Sequence, residues 1–295
     1  MEKNYKSIFA ADMTLLLVAF IWGTGIPLSA LLARTVSPLW AIALRMILSA
    51  FFLSILFPKT IIKSTALDCK ISFILTALLV IIFICMTFGL IYSTASKQSF
   101  IGSLNVIFSP LLVWAIYKVR PSNLLFTGAS VTTIGLMIMG FSPEMRFCLG
   151  DILSFIMAFA YSIQIISAEY CSRRVDPVRL TALHIIMLAV ILTIIAYIFE
   201  PFPDIASFDW KIWGALIAVS LFNTVVCFIL QFRAQRVTSA THVSIICSLE
   251  GLFGYITTVL SGQDPFHLQG AIGGLMMIAG VIITESEGLF KKGKE

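Results

Sequence analysis

The second half of this chain repeats its first half, and a repeat of this length leaves few folds open. Residues 12–38 and 151–177 are equally long, begin with aspartate and end with proline. In that register, an offset of 139, Trp22 falls on Tyr161 and Arg45 on His184. Residues 99–108 (SFIGSLNVIF) align with 244–253 (SIICSLEGLF) at an offset of 145, with five of ten positions identical. That offset also pairs Asn105 with Glu250, Gly128 with Gly273 and Gly135 with Gly280. Between these blocks, DCKI at 68–71 matches DWKI at 209–212. Two tandem apolar halves, 1–145 and 146–295, are a hallmark of secondary transporters.

The apolar runs decide the class. The chain is 59% hydrophobic and 12% charged, against about 25% charged for a soluble domain. The runs are continuous rather than alternating, and long enough for the roughly 20 helical residues a bilayer requires. This pattern predicts helices rather than a barrel. Ten spans are expected, near 14–33, 39–57, 71–92, 100–117, 124–141, 152–170, 180–199, 212–232, 238–260 and 268–284. The first is read as a span, because its apolar run is too long for a signal peptide and lacks a small-residue cleavage site. The expectation is an all-α integral membrane protein of ten transmembrane helices.

The basic residues orient it. With the N-terminus inside, fifteen of the twenty Lys and Arg fall in inside segments. Four (Arg34, Lys97, Arg146 and Lys211) fall outside, and Arg45 lies within a span. That asymmetry fits the positive-inside rule with both termini cytoplasmic. Five spans per half is an odd number, so the halves must sit in opposite orientations, as two inverted five-helix repeats.

The net charge of +5 resides in these inside loops, where it faces anionic lipid, and does not point to nucleic acid. The six cysteines (69, 85, 148, 171, 227 and 247) have no metal or redox spacing and read as small apolar fillers. There is no Walker motif, no Gly-x-Ser-x-Gly and no His-Glu-x-x-His. An ATPase is excluded and an intramembrane enzyme disfavoured, and no cofactor or metal is expected.

Phe20-Ile21-Trp22-Gly23 in the first span and Leu44-Arg45 in the second resemble the drug/metabolite transporter superfamily, most closely its EamA-type ten-helix exporters. Thr94-Ala95-Ser96 before span four and Ser239-Ala240-Thr241 before span nine fit the same pattern, and the resemblance covers almost the whole chain. It implies export of a small molecule across an inner (plasma) membrane. Spans one to four and six to nine would line a central cavity, supported by spans five and ten. Members often carry proline after the polar residue of spans four and nine. Here Val106 follows Asn105 and Gly251 follows Glu250, so a helix break is expected from Gly251 and Gly254, or from Pro110.

Glu250 is the sharpest candidate. A carboxylate deep in a span costs several kcal/mol, or about 2.5–3.5 on insertion scales for the related Asp, unless it faces a polar cavity, is paired or is protonated. It would bind a cationic group on the substrate or carry a coupled proton. Alternatively it ties helices together. Arg45 would bind an anionic group, pair with Glu250 or snorkel outward. His184 would shuttle protons or be satisfied by a neighbouring helix. Asn105 would line the cavity with Glu250 or glue helices. Trp22 and Tyr161 lie away from the interfacial belts and would wall the cavity or simply pack. Gln164, Asn223 and Tyr255 are weaker candidates. Glu250 and Arg45 together suit a zwitterion such as an amino acid, and Glu250 with aromatics suits a hydrophobic cation. Gly270, Gly273, Gly274 and Gly280, with Gly128 and Gly135, would let spans five and ten pack closely, within a monomer or across a homodimer. Pro27 and Gly23-Thr24-Gly25 weaken the first span and free carbonyls that could line the cavity.

Overall fold

The computed structural model of the protein describes residues 2–93, 98, 101–118, 120–140, 148–263 and 265–292. Thr94-Ala95-Ser96, Lys97 and Arg146 lie outside the described residues. All regular structure among those described is helical. The first half comprises α1 (Glu2–Thr35), α2 (Pro38–Leu56), α3 (Ala66–Tyr92), α4 (Asn105–Tyr117) and α5 (Asn123–Gly140). The second comprises α6 (Leu149–Ser172), α7 (Pro177–Phe199), α8 (Trp210–Ala234), α9 (Ala240–Leu260) and α10 (Leu268–Lys292). Nine of these are long and apolar enough to cross a membrane, and α4 is a shorter apolar helix. The chain is an all-α multi-pass membrane protein.

The helix starts explain part of the repeat. Thr65 and Asp68 form a reciprocal capping box at the start of α3, while Asp209 caps α8 by accepting from the backbone N–H of Lys211 and Ile212. The matched DCKI and DWKI segments thus both begin helices, with the aspartate three positions inside one and at the cap of the other. Asp176 caps α7 and Pro177 occupies its first turn. Large apolar side chains such as Phe51, Tyr197 and Leu275 face outward, whereas Gln164, His184 and Gln231 are buried. That distribution suits lipid outside and polar side chains inside.

The two halves interlock. Helix α1 packs against α8 and α9 of the other half, and its mate α6 packs against α3 and α4. Repeat mates also pack on each other, α2 on α7 and α5 on α10. Both mate pairs run antiparallel. At α2 and α7, the start of one meets the end of the other: Glu200 accepts from the backbone N–H of Leu39 and Trp40 at 3.0 and 3.1 Å. At α5 and α10, a Cβ on Gly128 would meet the Gly280 carbonyl at 2.6 Å, and one on Gly280 would meet the Gly128 carbonyl at 2.6 Å. Gly135 and Gly273 are related in the same way. The glycine faces are therefore used inside the chain, and antiparallel mates are what inverted halves require.

Candidate functional site

The most informative local feature occurs twice. Helix α9 is interrupted at Ser248 and Leu249 and resumes at Glu250, and the chain before α4 turns at Ser103 and Leu104 and resumes at Asn105. Leu104 has φ −60°, ψ −15° and Leu249 has φ −61°, ψ −13°. Two tightened hydrogen bonds recur at both places. Leu104 N–H donates to Ile101 and Val106 to Ser103, and Leu249 donates to Ile246 and Gly251 to Ser248, each at 3.1 Å. A short i→i+3 stretch inside a helix is a recurrent mark of a hinge. The break thus lies just before the polar residue in both halves, not at Gly251, Gly254 or Pro110 as the sequence suggested. Gly254 instead admits the Ile26 side chain, and Pro110 is buried within α4.

Glu250 stands at the midpoint of α9, ten residues from either end. At 1.5 Å per residue that is about 15 Å, half of a ~30 Å hydrocarbon core. The residue is only half-buried although helices surround it. Among the described residues its carboxylate has no hydrogen-bond or ion-pair partner. It nevertheless acts electrostatically on Arg45 of α2, Tyr161 of α6, Cys227 of α8 and Cys247 of α9. Four helices therefore bring groups within electrostatic reach of this carboxylate.

Arg45 is half-buried and anchored rather than paired with Glu250. Its Nε donates to Thr224 Oγ1 at 2.8 Å. Thr224 belongs to a π-helical segment of α8, Val219–Val226, and its hydroxyl returns to the Val219 carbonyl five residues back. The widened turn fastens α8 to both neighbours. Ser220 Oγ donates to the Arg45 carbonyl, and Ser49 Oγ to the Ser220 carbonyl, each at 3.1 Å. Asn223 Nδ2 donates to the Ile21 carbonyl at 2.6 Å, and Trp22 Nε1 to the Asn223 carbonyl at 2.7 Å. Gly25 is required here because a Cβ would run into the Asn223 amide. The sequence signal for this segment was the spacing of Ser220, Asn223 and Thr224 on one face of an apolar span. Its π geometry had no signal.

The other predicted residues are placed as follows. Trp22 is half-buried, adjoins Gly23 and meets Phe228 edge-on at 6.1 Å. Gly23 lies against α9, where a Cβ would approach the Glu250 carbonyl at 2.9 Å. Its repeat mate is Ser162, whose hydroxyl donates to the Asn105 carbonyl at 3.2 Å. Asn105 is half-buried, and its side-chain amide has no hydrogen bond among the described residues. Pro27 has no N–H to give the Gly23 carbonyl. Thr257 Oγ1 lies 3.1 Å from that oxygen and also within reach of the Phe253 and Gly254 carbonyls. The carbonyl freed by Pro27 thus faces α9 and a hydroxyl.

His184 is not brought within that reach of Glu250. It is fully buried, its Nδ1 lies 2.7 Å from the Leu180 carbonyl, and Phe228 and Phe232 flank it at 5.2 and 5.4 Å. It therefore backs the aromatic layer behind Trp22. Gln164 is buried, and Tyr255 joins α9 to the start of α10 through His267. Glu169 pairs with Arg173 at 2.8 Å and also caps α9 through the Ala240 N–H.

The bundle is that of a multi-pass membrane protein, and comparison with known proteins makes it a membrane transporter. The EamA-like transporter family matches residues 9–141 and again 148–285, and the chain belongs to that family. An uncharacterized transporter of Archaeoglobus fulgidus is 27% identical over 93% of this chain and 85% of its own length. One from Methanothermobacter thermautotrophicus is 27% identical over 71% of this chain and 63% of its own. A solved crystal structure shares the fold, with a TM-score of 0.78 at 12% identity over 93% of this chain and 96% of that one.

Proposed function

We propose that this transporter is secondary active and exports a small zwitterionic metabolite, such as an amino acid, across the inner (plasma) membrane, with both termini cytoplasmic. One observation supports the reading: a mid-span carboxylate with no partner among the described residues lies within electrostatic reach of a guanidinium that is anchored elsewhere. A zwitterion offers an ammonium to Glu250 and a carboxylate to Arg45, and so offsets the desolvation of both. Trp22 and Tyr161 wall the space, and Asn105 supplies its amide from the other half. Glu250 also carries the coupled proton. His184 serves as backing, because its ring is enclosed. Alternating access follows from the paired breaks, which let either half bend at the same place. The internal use of the glycine faces supports a monomeric unit.

The test is efflux from proteoliposomes loaded with mixed amino acids, with and without a pH gradient, comparing wild type with Glu250→Gln and Arg45→Gln. Gradient-responsive efflux lost in both variants is expected. No amino-acid efflux from folded wild-type protein would overturn the cargo. Gradient-driven efflux unchanged in Glu250→Gln would return that residue to a structural role. Uptake of hydrophobic cations that survives Arg45→Gln would favour a cationic cargo instead.

A further inference from the structure

Two repeat-related hydroxyl–carboxylate pairs stand at opposite ends of the bundle. Ser93 Oγ donates to Asp151 Oδ1 at 3.1 Å, and Thr238 Oγ1 donates to Asp12 Oδ1 at 3.3 Å. Asp12 is the mate of Asp151 at the 139 offset, and Ser93 the mate of Thr238 at 145. The second carboxylate oxygen is where they differ. Asp151 sits in the first turn of α6, and its Oδ2 accepts from the Cys148 backbone N–H at 2.9 Å. Helix α1 begins ten residues before Asp12, so the backbone around Asp12 is helix interior and offers no terminal N–H to cap. Asp12 is nonetheless 2% exposed, and its side-chain hydrogen bonds go to Thr238 and Glu285.

Two other ligand-bearing side chains face Asp12. His242 near the start of α9 and Glu285 of α10 each place a ligand atom so that all three lie within 4.8 Å of one another. His242 Nδ1 is 3.4 Å from Glu285 Oε1. Two carboxylates this close, one of them buried, repel unless they share a proton or a positive charge stands between them, and a bound cation supplies that charge. Carboxylate, carboxylate and imidazole form a donor set that first-row divalent ions take. The side chains of His242 and Glu285 are 21% and 35% exposed, which leaves an entry from the surface, with Asp12 as the floor. At the other end of the bundle Gly140 occupies the position of Glu285, so the set exists once.

We propose that Asp12, His242 and Glu285 bind a divalent transition-metal ion at the end of the bundle that carries both chain termini. The ligands come from α1 of the first half and from α9 and α10 of the second. The bound ion therefore ties the interlocked halves at one mouth. Binding is read without a transport assay, so this site and the substrate reading can fail separately.

The experiment is a Co²⁺ titration of the full-length, tag-free protein in detergent, followed by visible absorbance, with Zn²⁺ as competitor. Wild type should take up one saturable equivalent that Zn²⁺ displaces. His242→Ala and Glu285→Gln, both at partly exposed positions, should weaken it by more than the ~10–100-fold typical of losing an outer-shell partner. Asp12→Asn should do the same if its melting curve shows a folded protein. No saturable equivalent in folded wild type, or wild-type affinity in the His242 and Glu285 variants, would overturn the site.

Discussion

Helix α4 resumes at Asn105 after its turn, and α9 resumes at Glu250 after an identical one. The same tightened hydrogen bonds recur in both, yet one restart presents a neutral amide and the other a carboxylate. Their supports differ as well. Ser162 reaches the Asn105 carbonyl with a hydroxyl, whereas its mate Gly23 lets α1 close directly on α9. The same divergence separates Arg45, which is anchored within electrostatic reach of Glu250, from His184, which is flanked by phenylalanines. Duplication has kept the turn twofold while the charges are single. On the proposed function, a bend is needed in both halves for the bundle to face either side, whereas one zwitterion needs only one carboxylate and one guanidinium.

The largest expected effect tests that division directly. Glu250→Gln keeps the shape and removes the charge. It should reduce gradient-driven transport by roughly 10–100-fold, the equivalent of the ~1.5–3 kcal/mol carried by a hydrogen bond to a charged group. Asn105→Ala should reduce it only a few-fold. Equal losses, measured as initial efflux rates at matched protein per vesicle, would mean that the two restarts share one chemical role and that the comparison is wrong.

Much of the frame was legible in the sequence, for identifiable reasons. The spans announced themselves because a bilayer demands about 20 apolar residues, and the glycine contacts because Gly128, Gly135, Gly273 and Gly280 recur in register. Glu250 stood out because a carboxylate in an apolar run is costly. The helix breaks were misplaced because the sequence points to glycine and proline. Here Ser and Leu form the turn, residues with no special backbone preference, held by tertiary contacts. The π segment was invisible because inserting a wide turn changes no residue type. His184 stayed open between a proton shuttle and a packed ring because periodicity alone cannot distinguish a face on a cavity from a face on Phe228 and Phe232.

A middle-sized effect is expected where the mates Gly23 and Ser162 contact the two restarts. A methyl on Gly23 would meet Phe253 as well as the Glu250 carbonyl. Gly23→Ala should therefore lower stability by about 1–3 kcal/mol through overpacking. Ser162→Ala deletes a single hydrogen bond and should cost about 1 kcal/mol. Thermal unfolding in one detergent would rank them. A Gly23→Ala variant as stable as wild type would show that α1 and α9 are not locked together as closely as α4 and α6.

The smallest effect isolates a compensation found in only one half. Pro27 leaves the Gly23 carbonyl without its helical donor, and Thr257 stands 3.1 Å from that oxygen. In the other half Ile166 takes the place of Pro27 and Leu112 that of Thr257, so neither the defect nor its remedy is present. If the two belong together, Thr257→Val should cost about 0.5–1 kcal/mol in the native background, the typical net value of one hydrogen bond. It should cost almost nothing after Pro27→Ala, where the new backbone N–H can take the carbonyl. The difference between the two costs, read from a double-mutant cycle of unfolding free energies, is the coupling energy. A coupling of zero would leave Thr257 serving only the Phe253 and Gly254 carbonyls of its own helix. A positive value would show that the second half supplies the bond that proline removes from the first.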